Sequence, residues 1–402
     1  MATKRTKSDG QPPVAGRKGR GSANAEIGAV GQVSVSSRGQ EPVQQSFWET
    51  FTGDGHSSRM IDLLDLAPRL VLYTDSDAKV DGKFLAEIHR EFMHHGRTYG
   101  LEIRPARIQR DGLGVDVYPG GREQLVEEVI RHLAVRSGRL SHEPGDVVRL
   151  RFSVYEIREE LKRTNHTLGY PEVIEALHIL HRTGLSITPI SKATGEKESK
   201  GTFHGSIFPQ FYEPDPENGV EAMVEFNAMF ARAIRHLEFR PISYEMIMRL
   251  GDPVSRWIYK KLNHLGLFEQ RPMRAFEINA SDIIRDCGIN VRAKQTRTFA
   301  KIRDAIEDLK KQGVLEDFSA GPIKSGRAHT DVAYTLIVSE RYREDLIRAN
   351  RNAAEDRALF RELTGEEPQR LVPGTAETRE AVRRHRRKQT AALAASETPT
   401  LL

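Results

Sequence analysis

The stretch QTRTFAKIRDAIEDLKKQGVLEDF, residues 295–318, sets the reading of this chain. Phe299, Ile302, Ile306 and Leu309 recur at helical spacing, and the run ends at Gly313, a residue that can take φ > 0 as a helix cap. At Val314 the chain turns extended. The same motif occurs 129 residues earlier: Ala176, Leu177, Leu180, Arg182, Gly184, Leu185 stand where Ala305, Ile306, Leu309, Lys311, Gly313, Val314 stand later. Two similar units are therefore expected.

After each glycine come a short apolar stretch, a polar loop (residues 188–202 and 319–330) and a second extended stretch (residues 203–208 and 332–338). Helix, strand, loop, strand behind a helix-turn-helix is the winged-helix arrangement, which sets one helix in the DNA major groove and lays the hairpin on the backbone. The expected fold class is α+β, mainly helical, with two winged-helix domains and disordered N- and C-terminal tails.

Composition fits this. The 402 residues carry 38% hydrophobic residues and a net charge of +5, a mildly basic balance that favours polyanionic partners without identifying them. The first 45 residues and residues 365–402 are poor in large apolar side chains, so neither end can bury enough to order itself. The division expected is a disordered basic arm (1–45), an extension with the first winged helix (46–208), a linker helix with the second (209–350), and a basic, largely disordered tail (351–402). Tail residues Arg383, Arg384, Arg386, Arg387 and Lys388 can hold phosphates or form a solvated face. One cysteine, Cys287, excludes an intramolecular disulfide and a multi-thiolate zinc site. With no apolar run near 18 residues and no signal-peptide core, the expectation is a cytoplasmic protein without a membrane partner.

Along the chain, Phe47, Trp48 and Phe51 precede an apolar cluster over 60–72, read as a packing element, with an interaction segment as the alternative. A helix is predicted over 83–94, a strand through Leu101, Ile103, Ala106 and Ile108, and a helix over 122–135. In the first unit Val148, Leu150 and Phe152 alternate, and Ser153 with Glu156 makes a capping-box pattern. Pro171 suits the first position of the next helix, whose buried stripe is Val173, Ile174, Leu177 and Leu180. Glu172 and Glu175 lie on its outer face. There they either oppose phosphate, which would turn the unit toward protein contact or weak positioning on DNA, or simply favour the helix dipole. A Pro-rich loop over 209–219 leads to a bridging helix from Met223 to Leu237. The second unit then has helices over 244–250 and 253–265, a strand around 276–278, Ser281 as a cap, and its helix-turn-helix over 281–312.

Charge singles out that second unit. Arg292, Lys294, Arg297, Lys301 and Arg303 follow one another with no acidic residue between, and at about 100° per residue Lys294, Arg297 and Lys301 fall within about 60° of each other. Arginine and lysine can read guanine or bind phosphate, and Gln295 can pair with adenine. The candidate DNA-binding residues are Arg292, Lys294, Gln295, Arg297, Thr298, Lys301 and Arg303 on the helix, with Lys324 and Arg327 on the second wing. Lys192, Lys197 and Lys200 are candidates on the first wing, where a flexible solvated loop is the alternative. No catalytic residue, metal site or cofactor is expected. The P-loop pattern G-x-x-x-x-G-K-[ST] and an H-x-H of the kind a nicking enzyme uses are both absent, and His89, His94 and His95 read as surface histidines.

The duplicated unit, SVYEIREELKRTN (153–165) with GYPEVIEALHILHRTGL (169–185) in the first copy and residues 295–318 in the second, resembles the plasmid replication initiator (Rep) proteins with tandem winged-helix domains. The resemblance covers roughly residues 97–350. It implies binding to repeated origin sites without strand cleavage, base contacts through Lys294, Arg297 and Lys301, homodimerisation through the first domain, and recruitment of the host initiator and replicative helicase. A transcriptional regulator and a winged-helix interaction protein are the alternatives.

Overall fold

The computed structural model describes residues 57–72, 85–136, 140–143, 147–191, 195, 201–215, 217, 219–266, 274–289, 295–325, 328–365 and 367–368. The first half of the chain contains β1 (Ser57–Met60), α1 (Asp62–Leu66), β2 (Ile88–His94), β3 (Arg97–Arg104), β4 (Ala106–Arg110), β5 (Leu113–Val117), α2 (Gly121–Arg136), β6 (Leu140–Glu143), β7 (Val147–Phe152), α3 (Val154–Arg163), α4 (Tyr170–Arg182), β8 (Gly184–Pro189), β9 (Phe203–Gly205), β10 (Gln210–Tyr212), β11 (Ala222–Glu225) and α5 (Ala228–Arg235). The second half contains β12 (Arg240–Ser243), α6 (Tyr244–Arg249), α7 (Pro253–Gly266), β13 (Ala275–Asn279), α8 (Ala280–Cys287), α9 (Gln295–Lys311), β14 (Leu315–Ser325), β15 (Ala328–Val338) and α10 (Glu340–Thr364). The architecture is α+β, and strands take a larger share of it than the mainly helical expectation allowed.

Both copies of the motif fold as helix, helix, hairpin. In the first, the reciprocal capping box of Ser153 and Glu156 starts α3, and α4 runs into β8, which pairs antiparallel with β9. Pro171 is the second residue of α4, whose entry is held by Glu172 accepting from the Gly169 amide at 2.6 Å. In the second copy α8 ends at Gly288 with φ 91°, and α9 is followed by Gly313 with φ 76° before β14. The stretch read as a polar loop over 319–330 is instead the body of a long hairpin. β14 and β15 are 11 residues each, and β13 completes a sheet of order β13-β15-β14.

Two cores result. The first gathers Phe92, Leu101, Ile103, Val126, Val129, Ile130, Leu150, Phe152, Leu161, Leu177 and Leu180. The second gathers Ile247, Val254, Trp257, Ile258, Ile283, Ile302, Ile306, Leu309, Leu336 and Leu346. The segment 57–72 is wedged between them. Ile61, Leu64, Ala67 and Val71 enter the first core, whereas Met60, Leu66, Leu70 and Leu72 enter the second. β1 also pairs antiparallel with β12, from Ser57↔Ser243 to Met60↔Arg240. The apolar cluster read as a packing element is thus the seam of the two halves.

Charged side chains are buried along that seam. Asp65 accepts from Arg131 at 2.8 and 2.7 Å and from Lys260 at 2.7 Å; Glu127 accepts from Arg69 at 2.5 Å and pairs with Arg131 at 2.6 Å. Glu128 pairs with Lys260. Three carboxylates face three cations, drawn from α1 and its neighbour Arg69, from α2, and from α7. Arg256 adds a bond of 3.1 Å to Gln124.

Several expectations need correction. Residues 88–94 form a strand, not a helix: Ile88, Arg90, Phe92 and His94 alternate inward, and β2 pairs with β3 from Ile88↔Ile103 to His94↔Arg97. The helix expected from Met223 begins only at Ala228, capped by Asn227, because Ala222–Glu225 pairs with β7. Its Phe230, Ala231, Ala233 and Ile234 pack in the first core and do not bridge to the second. The boundary drawn at residue 350 falls within α10, which runs to Thr364 and brings Phe360 against Leu237 and Phe239. His94 is 7% exposed and His95 half-buried, so of the three histidines read as surface groups only His89 is exposed. Residues 1–56 and 369–402, with Phe47, Trp48, Phe51 and the tail cluster from Arg383 to Lys388, lie outside the described residues.

Candidate nucleic-acid interface

α9 is seated by its apolar stripe. Ile302, Ala305, Ile306 and Leu309 are buried, which leaves Gln295, Thr296, Arg297, Lys301 and Arg303 exposed along the other side. Thr298, expected to face DNA, is only 2% exposed and points with the stripe into the protein, so its side chain is not available to a ligand. Gln295 donates to the Thr330 carbonyl at 3.0 Å, tying the first turn of α9 to β15. Arg292, Lys294 and Arg327 lie outside the described residues, as do Lys192, Lys197 and Lys200; Lys324 lies in β14, its side chain likewise outside them.

The charges on α9 are graded. Arg303 pairs with Glu307 at 3.0 Å and Lys310 with Asp317 at 2.7 Å, so the later turns carry compensated cations. Arg297, in the first turn, makes no hydrogen bond or ion pair with the described residues. The first turn of α9 thus carries a cation that no described carboxylate compensates. Beside it the hairpin extends into solvent: residues 319–323 of β14 are exposed throughout.

Asp331 joins the parts. It stands on β15 and accepts from the Ser281 amide at 3.0 Å and from the Ser281 hydroxyl at 2.5 Å, at the start of α8. The cap of α8 is therefore Asn279, without a side-chain bond, and Ser281 is a donor to the hairpin rather than a cap. With Gln295, this fixes the hairpin to both helices of the turn. Sequence reading missed Asp331 because its partners lie 50 residues away.

The equivalent helix of the first unit is covered along its flank, its first turn staying exposed at Tyr170, Pro171 and Glu172. Ile179 of α4 packs on Ala106, Ile108 and Val117 of the β4–β5 hairpin, and the His178 ring meets Phe211 of β10 edge-on at 5.3 Å. Arg110 donates to Glu175 at 3.0 and 2.8 Å, and Arg122 donates at 2.7 Å. The Arg110 hydrogen bonds, joined by Arg122 against the cost of burial, hold the Glu175 carboxyl down to about 2. Of the two acidic residues, Glu172 caps its own helix and Glu175 is neutralised sideways. Arg110 and Arg122 carried no sequence signal, since neither belongs to the helix-turn-helix.

No family model matches the chain, and no curated protein matches it. Solved structures similar to it include a selenomethionine derivative of domains 2 and 3 of RctB, 8% identical over 69% of this chain and 96% of that one, with a TM-score of 0.42. A second structure of RctB domains 2–3 is 9% identical over 71% of this chain and 99% of that one, with a TM-score of 0.38. The Pi initiator protein in complex with iteron DNA is 16% identical over 55% of this chain and 91% of that one, also at 0.38.

Proposed function

We propose that the chain is a sequence-specific, double-stranded-DNA-binding replication initiator of the plasmid Rep type, built on two winged-helix domains and acting in the cytoplasm. The observation that carries this reading is the exposed leading face of α9, with Arg297 and Lys301, set beside the β14–β15 ribbon and held to it by Gln295, while Asp331 ties the ribbon to α8. A helix of this kind fits the major groove, and a ribbon beside it reaches the flanking backbone. Arg297 is assigned to base contact, Lys301 to base or phosphate, and the hairpin to phosphate. The first unit positions the protein and offers a homodimer surface, where Tyr155, Tyr212 and Val220 are exposed. The protein carries out no chemistry of its own; it grips repeated origin sites and recruits the host initiator and helicase.

The test is a footprint on the DNA flanking its gene, with random competitor present. Protection of several direct repeats supports the initiator. A single inverted repeat over a promoter makes it a transcriptional regulator, and no protection leaves an interaction protein. Arg297→Ala should weaken specific binding by about 1–3 kcal/mol. Undiminished discrimination in that variant removes Arg297 as a base reader.

A further inference from the structure

His94 and His95 stand where β2 turns into β3, and His264 lies in the last turn of α7, in the other half of the molecule. One ring nitrogen from each meets the others within 4.8 Å. The ring centroids are 4.3 Å apart for His94 and His95, 5.2 Å for His94 and His264, and 4.7 Å for His95 and His264. The turn is a two-residue loop with φ 48° at His95 and 70° at Gly96, a geometry in which asparagine and glycine are the usual pair. A histidine occupies the position an asparagine would suit, and its ring points across the seam.

Asp62 of α1 backs the cluster. One of its oxygens accepts from Arg240 at 2.5 Å; the other stands 3.1 Å from His264 Nδ1 and 3.9 Å from His95 Nε2. His94 Nδ1 is buried with no hydrogen-bond partner among the described residues. Burial, with the neighbouring rings, puts His94 well below its ordinary value; burial also lowers His95 and takes His264 down to about 4 against the pull of Asp62. Imidazole binds a metal through a ring nitrogen that carries no proton. Three ring nitrogens thus converge across the seam. The cations facing the cluster are Arg240, already bonded to Asp62, and Lys261, whose ammonium is itself disfavoured by burial.

We propose that His94, His95 and His264 form a binding site for one divalent transition-metal ion of the zinc class, with Asp62 orienting the rings or completing the ligand set. Imidazole nitrogens with a carboxylate suit zinc. Zn–N bonds of about 2.1 Å would set tetrahedral nitrogens about 3.4 Å apart, so the rings close by roughly 1 Å on loading. The ion then staples the β2–β3 turn of the first half to α7 of the second, fixing the two helix-turn-helix units relative to one another. A carboxylate behind a metal-binding histidine is the usual arrangement for holding its ring.

The test uses the untagged full-length chain, stripped with chelator and titrated with Zn2+ alone by calorimetry. Co2+ substitution gives a second readout through the visible bands of tetrahedral cobalt. The expected result is one ion per chain, with affinity lowered at least about tenfold in His264→Gln and in His95→Asn. Asparagine tolerates the left-handed backbone at 95, so that variant keeps the turn while losing the ligand. The melting midpoint should climb with Zn2+ in the parent and not in His95→Asn. Absence of stoichiometric binding overturns the site, as does unchanged affinity in both variants, which places the ion elsewhere in the chain.

Discussion

Asp65→Asn isolates what the seam contributes. The substitution keeps the shape of the side chain and removes one charge from a buried set of three carboxylates and three cations. In the parent the carboxylate receives two bonds from Arg131, one from Lys260 and the Ile61 amide at 2.6 Å. Burial alone would raise its pKa, but Arg131, Lys260 and Arg69 together hold it well below the usual carboxylate range. Neutralising it leaves one excess positive charge among side chains no more than 4% exposed. Breaking a buried pair in this way costs about 3–5 kcal/mol. At about 2–4 °C per kcal/mol for a body of this size, the melting midpoint should fall by about 6–20 °C. Calorimetry and urea titration of the full chain measure this. The double variant Asp65→Asn, Lys260→Met restores the balance and should recover part of the loss, whereas independent sites would add. A drop under about 1 kcal/mol in the single variant, or simple additivity in the double, refutes the account.

Acid should unfold the protein through the same groups. Asp62, Asp65 and Glu127 all lie below their ordinary values, so the stability they supply is complete above the unfolded value near pH 4, declines as pH falls below it, and is gone once pH passes below their folded values. Urea midpoints from pH 6 to pH 3 should fall steeply at the acid end, and a flat profile contradicts this. Gly288→Ala should destabilise by about 1–3 kcal/mol, because φ there is 91° and a Cβ would lie 2.3 Å from the Leu70 carbonyl oxygen; thermal melts check it. The Cys287 thiol, pushed up to about 12 by burial, should resist alkylation at pH 8 until denaturant is added. Salt titration of DNA binding should give a steep log–log slope that shrinks in Lys301→Ala by about 1 if Lys301 meets a phosphate.

The duplicated helix-turn-helix could be read in advance because its information is local: apolar residues at helical spacing, a capping box at Ser153 and glycines after the last turn. β2 could not. Phe84, Ile88 and Phe92 repeat every four residues and imitate a helix, while the inward strand position between them holds Arg90, which the pattern codes as surface. Arg90 instead donates to the carbonyls of Pro68 at 2.5 Å, Leu70 at 2.7 Å and Gly288 at 3.1 Å, the last being 198 residues away. The polar face of α2 is the same case, since Glu127, Glu128 and Arg131 are buried only because Asp65, Arg69 and Lys260 arrive from distant segments. Of the candidate site, Arg297, Lys301 and Arg303 are exposed as the amphipathic pattern of α9 required. The pattern could not supply Asp331 or the cover over the flank of α4.

That cover bears on how two copies of one motif divide a task. α4 has its flank under β4–β5, its His178 against Phe211 and its Glu175 between two arginines, which leaves Tyr170, Pro171 and Glu172 of its first turn as its exposed leading end. Among the described residues α9 has no equivalent cover: β14 follows its C-terminal end, β15 meets its first turn only through Gln295, and Arg297 and Lys301 face outward. A rigid seam gives that asymmetry its use. With the units joined through Asp65, Arg131 and Lys260, the proposed reading has any backbone contact of the first unit set where α9 would enter the groove. On the proposed reading, loosening the seam should therefore reduce discrimination between specific and random sites more than it reduces total binding, because phosphate contacts tolerate reorientation and bidentate base contacts do not.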